Sequence, residues 1–594
     1  MCKIDFANAF NRVSRQFLSL IFNDAALNGA FAWVWACYGR PTSMWWHEVV
    51  IGCVTGVQQG DPLGPLLFSL VLRVLTARIR EVAPDLALNV WYLDDGTLIG
   101  RTDDVLAALA IISTDGPALG LHVNFSKCEL WWCKENQRMH EFPPEIKRIT
   151  TGGVALLGSA VGCGVFAAAE LDKRVVKVTR QIEALRALED SQIELSLLRL
   201  CLGVPNMVYA MRTMAPQDIT DPLRRADEVI TAALQNVVGD ALPLAARTQA
   251  ALPISRGGLG VRQAAPTTEA AYLSSYSAAR PLVSRMLGCA EAELPVAAGV
   301  QAALDALNAR AGAAGEQPWT VELLLEQRPS QEALLEACDK ASFVRLLADG
   351  CLFDRARLLG VSMHQAGAWL TVLPSRSHKM APLEHSVAVK FRLGMRCYTE
   401  DLCACPACGA LSDPYGYHST SCGTNNDRIS RHTSQCDLFA SSGVAAAKGT
   451  VREHKHLLPN TQERPGDITL ADWLHQQTGV FDMTVVSAFL AAILSVTAVR
   501  RGHAAAQAEV LKDAHSLEPC RLQNMLFAPL AVETCGGWGR VAQATFRKLS
   551  TMIAARSGRL QSEELHWMYQ RHSVAMQRDN ARMILRRAPE YRPP

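Results

Sequence analysis

A multidomain α+β protein is what this sequence predicts, on three observations. The chain has 594 residues, far more than one hydrophobic core organises, and at about 150 residues per domain it implies roughly four. Apolar residues make up 49% and charged residues 20%, a composition that builds cores and does not leave a chain disordered. Short β-rich runs alternate with amphipathic helices over residues 1–165 and return near the C-terminal end, with a long helical stretch between them.

Charge and cysteine usage narrow the class. The 59 Lys+Arg and 57 Asp+Glu leave a net charge of only +2, yet residues 500–594 carry 15 basic against 8 acidic side chains. Phosphate contacts are therefore expected at that end. Arg571, Arg578, Arg582, Arg586 and Arg587 form either a nucleic-acid face or a solvated helix face there. The 18 cysteines are too sparse for a disulfide scaffold and point to a reducing compartment. Met1-Cys2-Lys3-Ile4-Asp5 lacks the basic and apolar regions of a signal peptide. Met483–Val499 is an apolar run of 17 residues, but Thr484, Ser487, Ser495 and Thr497 interrupt it. It predicts a buried strand entering a helix, not a membrane span.

From the N-terminus, Lys3-Ile4-Asp5-Phe6 reads as a strand ending in a carboxylate, and Asn8-Ala9-Phe10-Asn11 turns into a helix bearing Val13, Phe17, Leu20 and Ile21 at helical spacing. Gly56-Val57-Gln58-Gln59-Gly60-Asp61-Pro62-Leu63-Gly64-Pro65 is a loop whose glycines allow close backbone approach to a ligand, with prolines suited to the first turn of the next helix. Asn89–Tyr92 and Thr97–Ile99 read as two strands, with Asp95-Gly96 as a type I′ turn between them. The turn does not require Asp94. Two adjacent carboxylates repel, and divalent cations are the usual reason to hold them together, as in two-metal phosphoryl transfer.

Residues 166–265 read as helical and break at Gly257-Gly258-Leu259-Gly260, and 266–390 as a helical connector whose segment 297–315 holds nine Ala and three Gly. Within 391–435, Cys405-x2-Cys408-x9-His418-x3-Cys422 has the two-plus-two spacing of a tetrahedral Zn²⁺ site, with Cys403 and His432 as spare ligands. Little apolar sequence surrounds it, so a structural metal is expected to replace a core. Over 436–555, Asp467 and Asp482 end two strand-like runs that can converge on one Mg²⁺ if the strands form a hairpin. Thr484 occupies the place where a lysine would follow the second acid, which makes Lys512, on a downstream helix, the candidate to orient water. Residues 556–594 read as an Arg-rich tail.

Two resemblances organise these pieces. The Asp5 strand, the Gln-Gly-Asp-Pro loop, Tyr92-Leu93-Asp94-Asp95, Gly120-Leu121-His122-Val123-Asn124 with Lys127, and Leu157-Gly158, in that order, resemble the palm of reverse transcriptases, those of non-LTR retrotransposons in particular. The resemblance implies that Asp5 and Asp94 hold two Mg²⁺, with Asp95 as the supporting ligand. It also implies that Phe10 lies under the sugar to exclude a 2′-hydroxyl, that Lys127 protonates the leaving pyrophosphate, that Gln59 and Gly60 pack on the template and nascent pair, and that Tyr92 lies against substrate. The second covers residues 390–555: the Cys-Cys-His-Cys knuckle, Arg464-Pro465-Gly466-Asp467, Asp482-x-Thr484, Lys512 and Val532-Glu533-Thr534-x-Gly536-Gly537 resemble the restriction-like endonuclease region of site-specific non-LTR elements. It implies a PD-(D/E)xK-like α/β nuclease, with Glu453 as a supporting acid.

Together they imply an RNA-directed DNA polymerase and endonuclease acting by target-primed reverse transcription on an RNA template, target DNA and deoxynucleoside triphosphates. Mg²⁺ and Zn²⁺ are the cofactors, no membrane is involved, and the location is nuclear and cytoplasmic. Only four residues precede Asp5, so the expectation is a palm without fingers, a helical thumb at 166–265 and less than full polymerase activity. The alternative is a degenerate element remnant that binds nucleic acid without catalysis. A viral RNA polymerase fits less well, because Tyr92 stands where such enzymes carry Gly and Phe10 obstructs a ribose; a group II intron enzyme carries a different, His-rich nuclease.

Overall fold

The computed structural model describes residues 1–132, 134, 136–150, 152–312, 317–375, 378–424, 426–459 and 464–588, with the side chains of Trp46 and Cys403 outside the description. The chain divides into two compact units, Met1–Glu170 with Ala278–Ala297, and Leu171–Ser277 with Ala298–Pro594.

In the first unit, β1 (Cys2–Ile4) is the centre of a five-stranded sheet. Its other strands are β4 (Leu88–Tyr92), β5 (Asp95–Ile99), β6 (Glu129–Trp131) and β7 (Lys147–Ile149), in the order β4-β5-β1-β6-β7. All neighbours are antiparallel except β6 and β7. Two hairpins stand outside this sheet, β2 (Thr42–Trp46) with β3 (Val49–Cys53), and β8 (Gly153–Leu156) with β9 (Ser159–Gly162). The period of two along β1 sorts its side chains: Cys2 and Ile4 are fully buried, whereas Lys3 and Asp5 lie on the opposite, half-exposed face. Helix Gly64–Val82 buries Leu67, Phe68, Val71, Leu75 and Ile79 at helical spacing in the same core, and a side chain such as Phe68 contributes about 1.5–3 kcal/mol by leaving water.

The hairpin between β4 and β5 corrects the expected turn. Tyr92 pairs with Asp95 and Trp91 with Gly96, so the loop is Leu93-Asp94 and Asp95 already belongs to β5. Gly96 serves packing: a Cβ there would come within 2.4 Å of the Trp91 ring. Leu93 takes the left-handed conformation instead, with φ 58°, at a cost of about 1 kcal/mol or more.

In the second unit, the segment expected as a helical connector has a core of its own. Helices Ala298–Ala311 and Gln331–Asp349 bury Val300, Leu304, Leu307, Leu334 and Leu335 against Leu273, because the alanines flank leucines at helical spacing. Residues 313–316, which end the Ala/Gly-rich run, lie outside the described residues. A small hairpin follows, β10 (Cys403–Ala404) with β11 (Leu411–Ser412).

Beyond it a four-stranded sheet runs in the order β12 (Thr450–Arg452), β13 (Ile468–Leu474), β14 (Gln477–Val486), β15 (Leu526–Glu533). The first three are antiparallel neighbours; β14 and β15 are parallel and are joined through helix His503–Leu522, since parallel neighbours need a crossover of this length. The C-terminal part of the run Met483–Val499 contains the short helix Leu494–Thr497. Helix Asp427–Ala445 packs Cys436 and Phe439 on this sheet, so the boundary expected at 435 falls inside one helix.

The expected Arg-rich tail is also corrected. Helix Gln561–Leu585 buries Met568, Tyr569, His572, Met576 and Asn580, several of them in the sheet's core. Its buried polar residues find partners far away in the sequence: His572 Nδ1 meets Gln435 Oε1 at 2.8 Å and Asn580 donates to the Thr534 carbonyl at 2.8 Å. Of the five arginines in this helix and just after it, three are held by acids. Arg587, 1% exposed, donates to Asp427 at 2.7 Å, Arg586 pairs with the same carboxylate, and Arg582 pairs with Glu384 at 2.7 Å.

Candidate active sites and metal centre

The first site is built by strand register. Ile4 pairs with Gly96 and Lys3 with Thr97, and one further step of the same register sets Asp5 against Asp95, with Asp94 next to it in the loop. Asp5 Oδ1 is buried and accepts no hydrogen bond among the described residues, an arrangement that stays costly until a cation satisfies it. Burial, and after it the charge of Asp94, push the Asp95 carboxyl above the usual range, with Lys3 pulling the other way and Asp5 adding to the rise. Three carboxylates and an orphaned oxygen fit a divalent-cation site.

The surroundings fix this group. Asn124 donates its N–H to the Asp5 carbonyl at 2.8 Å, and the Asp5 N–H points at Cys128 Sγ at 3.4 Å. The exposed Lys127 lies in the turn Phe125–Lys127 between those two anchors. Phe10 is half-buried and stacks on Phe68, ring centroids 4.7 Å apart; Tyr92 is 66% exposed. Val57 donates to the Phe10 carbonyl at 2.8 Å. Gly56, at φ 73°, makes this possible, because a Cβ on it would come 2.3 Å from the Asn11 carbonyl oxygen. Gln59 and Gly60 are exposed beyond this docked stretch.

Two residues that sequence reasoning missed hold the loop. Arg15 donates to the carbonyls of Gly56 at 3.2 Å, Cys53 at 3.0 Å and Tyr38 at 3.1 Å. The Tyr38 hydroxyl donates to Asp61 and accepts from the Gln58 N–H at 3.2 Å.

The second site repeats the device on β13 and β14. Ile468 pairs with Phe481, and the Asp467 N–H donates to the Phe481 carbonyl at 2.8 Å, so Asp467 and Asp482 lie opposite one another. Lys512, from the crossover helix, reaches Asp482 Oδ2 at 2.8 Å. Asp467 Oδ2 accepts from the Met483 N–H at 2.8 Å and faces His432 Nε2 at 3.1 Å. Environments split the two acids. Burial pushes Asp467 up, but the hydrogen bond and charge of His432 more than offset it and hold it below the usual range. Burial lifts Asp482 above that range despite Lys512. The bond to Asp467, aided by Cys436, raises His432 to about 10.

Glu453, expected as a supporting acid, turns its carboxylate to Arg464, and its backbone N–H donates to the Asp467 carbonyl at 2.8 Å. Glu509, one turn before Lys512, accepts the Val541 N–H at 3.0 Å and so caps the N-terminus of helix Arg540–Ser557.

The third centre is the Cys/His cluster. One ligand atom each from Cys405, Cys408, His418 and Cys422 lies within 4.8 Å of the others, with Cys408 Sγ 3.3 Å from His418 Nε2 and Cys405 Sγ 4.0 Å from Cys422 Sγ. Two thiols, a third thiol and an imidazole so placed fit a tetrahedral metal. Asp413 orders the second half of the knuckle by accepting the N–H groups of Tyr415, Tyr417 and His418 at 2.9, 3.0 and 2.7 Å. The expectation of little apolar support is corrected: Tyr417 is 4% exposed and stacks on Phe489, centroids 4.2 Å apart, beside Phe353 and Phe391. Of the spare ligands, His432 belongs to the second site, and the Cys403 side chain lies outside the described residues.

Residues 1–158 match the family described as reverse transcriptase (RNA-dependent DNA polymerase). The chain is also similar to the retrotransposable element SLACS 132 kDa protein of Trypanosoma brucei gambiense, with 24% identity over 278 residues, 46% of this chain and 23% of that relative. The chain thus matches less than a quarter of the relative's length. Its N-terminal segment is a reverse transcriptase domain, a kind of domain that copies a nucleic-acid template from deoxynucleoside triphosphates with Mg²⁺.

Proposed function

We propose that this chain, whose first 158 residues match the reverse transcriptase family, is the polymerase and DNA endonuclease of a non-LTR retrotransposon acting by target-primed reverse transcription. The Asp467/Asp482 strand pair nicks target DNA, and the freed 3′-hydroxyl primes copying of the element's RNA at Asp5, Asp94 and Asp95. The observation that carries the endonuclease half is the lysine. Lys512 comes from 30 positions beyond Asp482 and still meets its carboxylate at 2.8 Å.

Mg²⁺ at either carboxylate group supplies neutralisation of phosphate charge and a more acidic attacking oxygen. Around it the chain's own residues position the reaction. Asp5 and Asp94, with Asp95 in support, hold the ions of the polymerase. Phe10 stacks beneath the sugar, Tyr92 lies against the substrate, and Gln59 and Gly60 rest on the template and nascent pair. Lys127 gives its proton to the leaving pyrophosphate. At the nuclease, Lys512 orients water toward the scissile phosphate. The Cys405, Cys408, His418, Cys422 knuckle holds a structural Zn²⁺. Such a protein works in the nucleus after synthesis in the cytoplasm.

Relaxation of supercoiled DNA by the purified full chain tests the endonuclease. Asp467→Ala and Asp482→Ala should each abolish nicking about as fully as the double variant, because residues acting as a unit do not add. Nicking that survives Asp482→Ala removes the endonuclease reading. A chain that binds DNA but neither nicks nor extends a primer is an element remnant.

A further inference from the structure

Helix Asp427–Ala445 carries His432 and Cys436 four residues apart, the spacing that stacks two side chains on one helix face. That face meets the β13–β14 hairpin. His432 Nε2 stands 3.1 Å from Asp467 Oδ2, 3.7 Å from Cys436 Sγ and 2.9 Å from the Met483 carbonyl oxygen. One ligand atom from each of His432, Cys436 and Asp467 lies within 4.8 Å of the other two. Donors held about 2.0–2.3 Å from a shared ion stand about 3 to 4 Å from one another, which is the spacing seen. The match parallels the Cys/His knuckle, where the corresponding separations are 3.3 and 4.0 Å. Neither the polymerase carboxylates nor the knuckle uses His432 or Cys436.

We propose that His432 Nε2, Cys436 Sγ and the Asp467 carboxylate form a second transition-metal site, distinct from the knuckle, for a borderline-soft divalent ion of the Zn²⁺ type. The donor set decides the class of ion. A thiolate and an imidazole suit Zn²⁺ or Co²⁺, whereas Mg²⁺ takes oxygen ligands and dehydrates reluctantly. The ion takes the place of the proton shared between His432 and Asp467, and the thiol proton of Cys436 leaves to solvent. The Met483 carbonyl, 2.9 Å from His432 Nε2, is placed to supply a fourth donor. The site shares Asp467 with the nuclease reading but stands on its own geometry, whether or not the strand pair cuts DNA. If it does cut, its metal is held by nitrogen and sulfur as well as oxygen, and Zn²⁺ competes with Mg²⁺ there.

The test is metal counting on the full chain, stripped with a chelator and titrated with Co²⁺ alone while the thiolate-to-metal absorption is recorded. By that absorption, which Co²⁺ on carboxylates alone does not give, the wild type should take up two equivalents. Cys436→Ser and His432→Gln should each retain one, with the knuckle's absorption intact. Gln can still donate to Asp467 and Met483, so a purely hydrogen-bonding role for His432 would leave the count of that variant unchanged. Uptake of one equivalent by the wild type overturns the site without reference to any variant, and so does uptake of two by both variants. Asp482→Ala separates this outcome from the nuclease: it should abolish nicking in Mg²⁺ and leave the Co²⁺ count at two.

Discussion

Lys512 neutralises an acid that burial disfavours, and removing it exposes how much the site depends on that pairing. Without the ammonium 2.8 Å away, Asp482, 8% exposed, is left as an uncompensated buried charge and takes up a proton more readily. Lys512→Ala should therefore lower nicking by about a hundredfold or more, measured as the single-turnover rate on supercoiled DNA, with Lys512→Arg recovering part of it. A second residue acts on stability. Glu533, 1% exposed, accepts the Ala505 N–H at 3.3 Å near the start of the Lys512 helix, and burial raises its carboxyl to about 7. An acid whose folded value lies above its unfolded value of 4.5 contributes most at low pH. That contribution falls as pH rises from 4.5 through about 7 and is constant above. At about 1.4 kcal/mol per unit the loss is about 3 kcal/mol. Glu533→Gln keeps an acceptor and should flatten this part of the stability profile in urea unfolding; an unchanged slope between those pH values would count against the buried carboxyl.

At this scale the sequence is legible where partners are close along the chain. Asp94 and Asp95 are adjacent, and the spacing of Cys405, Cys408, His418 and Cys422 announces a ligand set. His432, Arg15 and Tyr38 are not legible, because their partners lie 35, 41 and 23 residues away and only folding brings them together.

Among the elements, helix Gln561–Leu585 shows why charge alone misleads. The sequence displays its arginines without the acids that receive them, since Asp427 and Glu384 lie 160 and 198 positions upstream of Arg587 and Arg582. Arg587→Ala leaves Asp427 buried with Arg586 alone and should cost less than the ~3–5 kcal/mol of a fully unpaired buried charge, seen as earlier urea unfolding or proteolysis of residues 298–588. Among the described residues Arg571 and Arg578 form no ion pair of that kind. They line a cleft of about 620 Å³ with Ser430, Thr433 and Ser434, so replacing them should lower the salt dependence of DNA binding by roughly one unit of slope for each arginine removed from a phosphate. An unchanged slope assigns both to the surface.

The β13–β14 hairpin entered the sequence reading only as the condition for Asp467 and Asp482 to meet, whereas the closeness of the four Cys/His ligand atoms was legible from their spacing. The aromatic cover of Tyr417 was not, because Phe353, Phe391 and Phe489 come from three separate segments. Chelation of the knuckle metal should loosen residues 400–435 to protease and leave Tyr417 as the last protected point. A metal-free knuckle as resistant as the loaded one would rule out a structural role for the ion.

For the whole molecule, the same arrangement appears twice. The registers of antiparallel strands bring Asp5 toward Asp95 and Asp467 toward Asp482, and at the second pair Lys512 arrives from a different segment. The mixed α/β character was legible because strand and helix periods differ along the chain. The helical middle was read as a linker because composition does not reveal which leucines meet, and Leu273, Leu304 and Leu334 meet across three helices. The reverse transcriptase domain is the premise on which the rest of the function stands, and its carboxylates are the most exacting point. The direct test is extension of a labelled primer on an RNA template by the full chain in Mg²⁺, wild type against Asp94→Ala. The account predicts extension by the wild type, at whatever rate, that Asp94→Ala lowers by about a hundredfold or more; extension at an equal rate in Asp94→Ala, or none by the wild type, would contradict it.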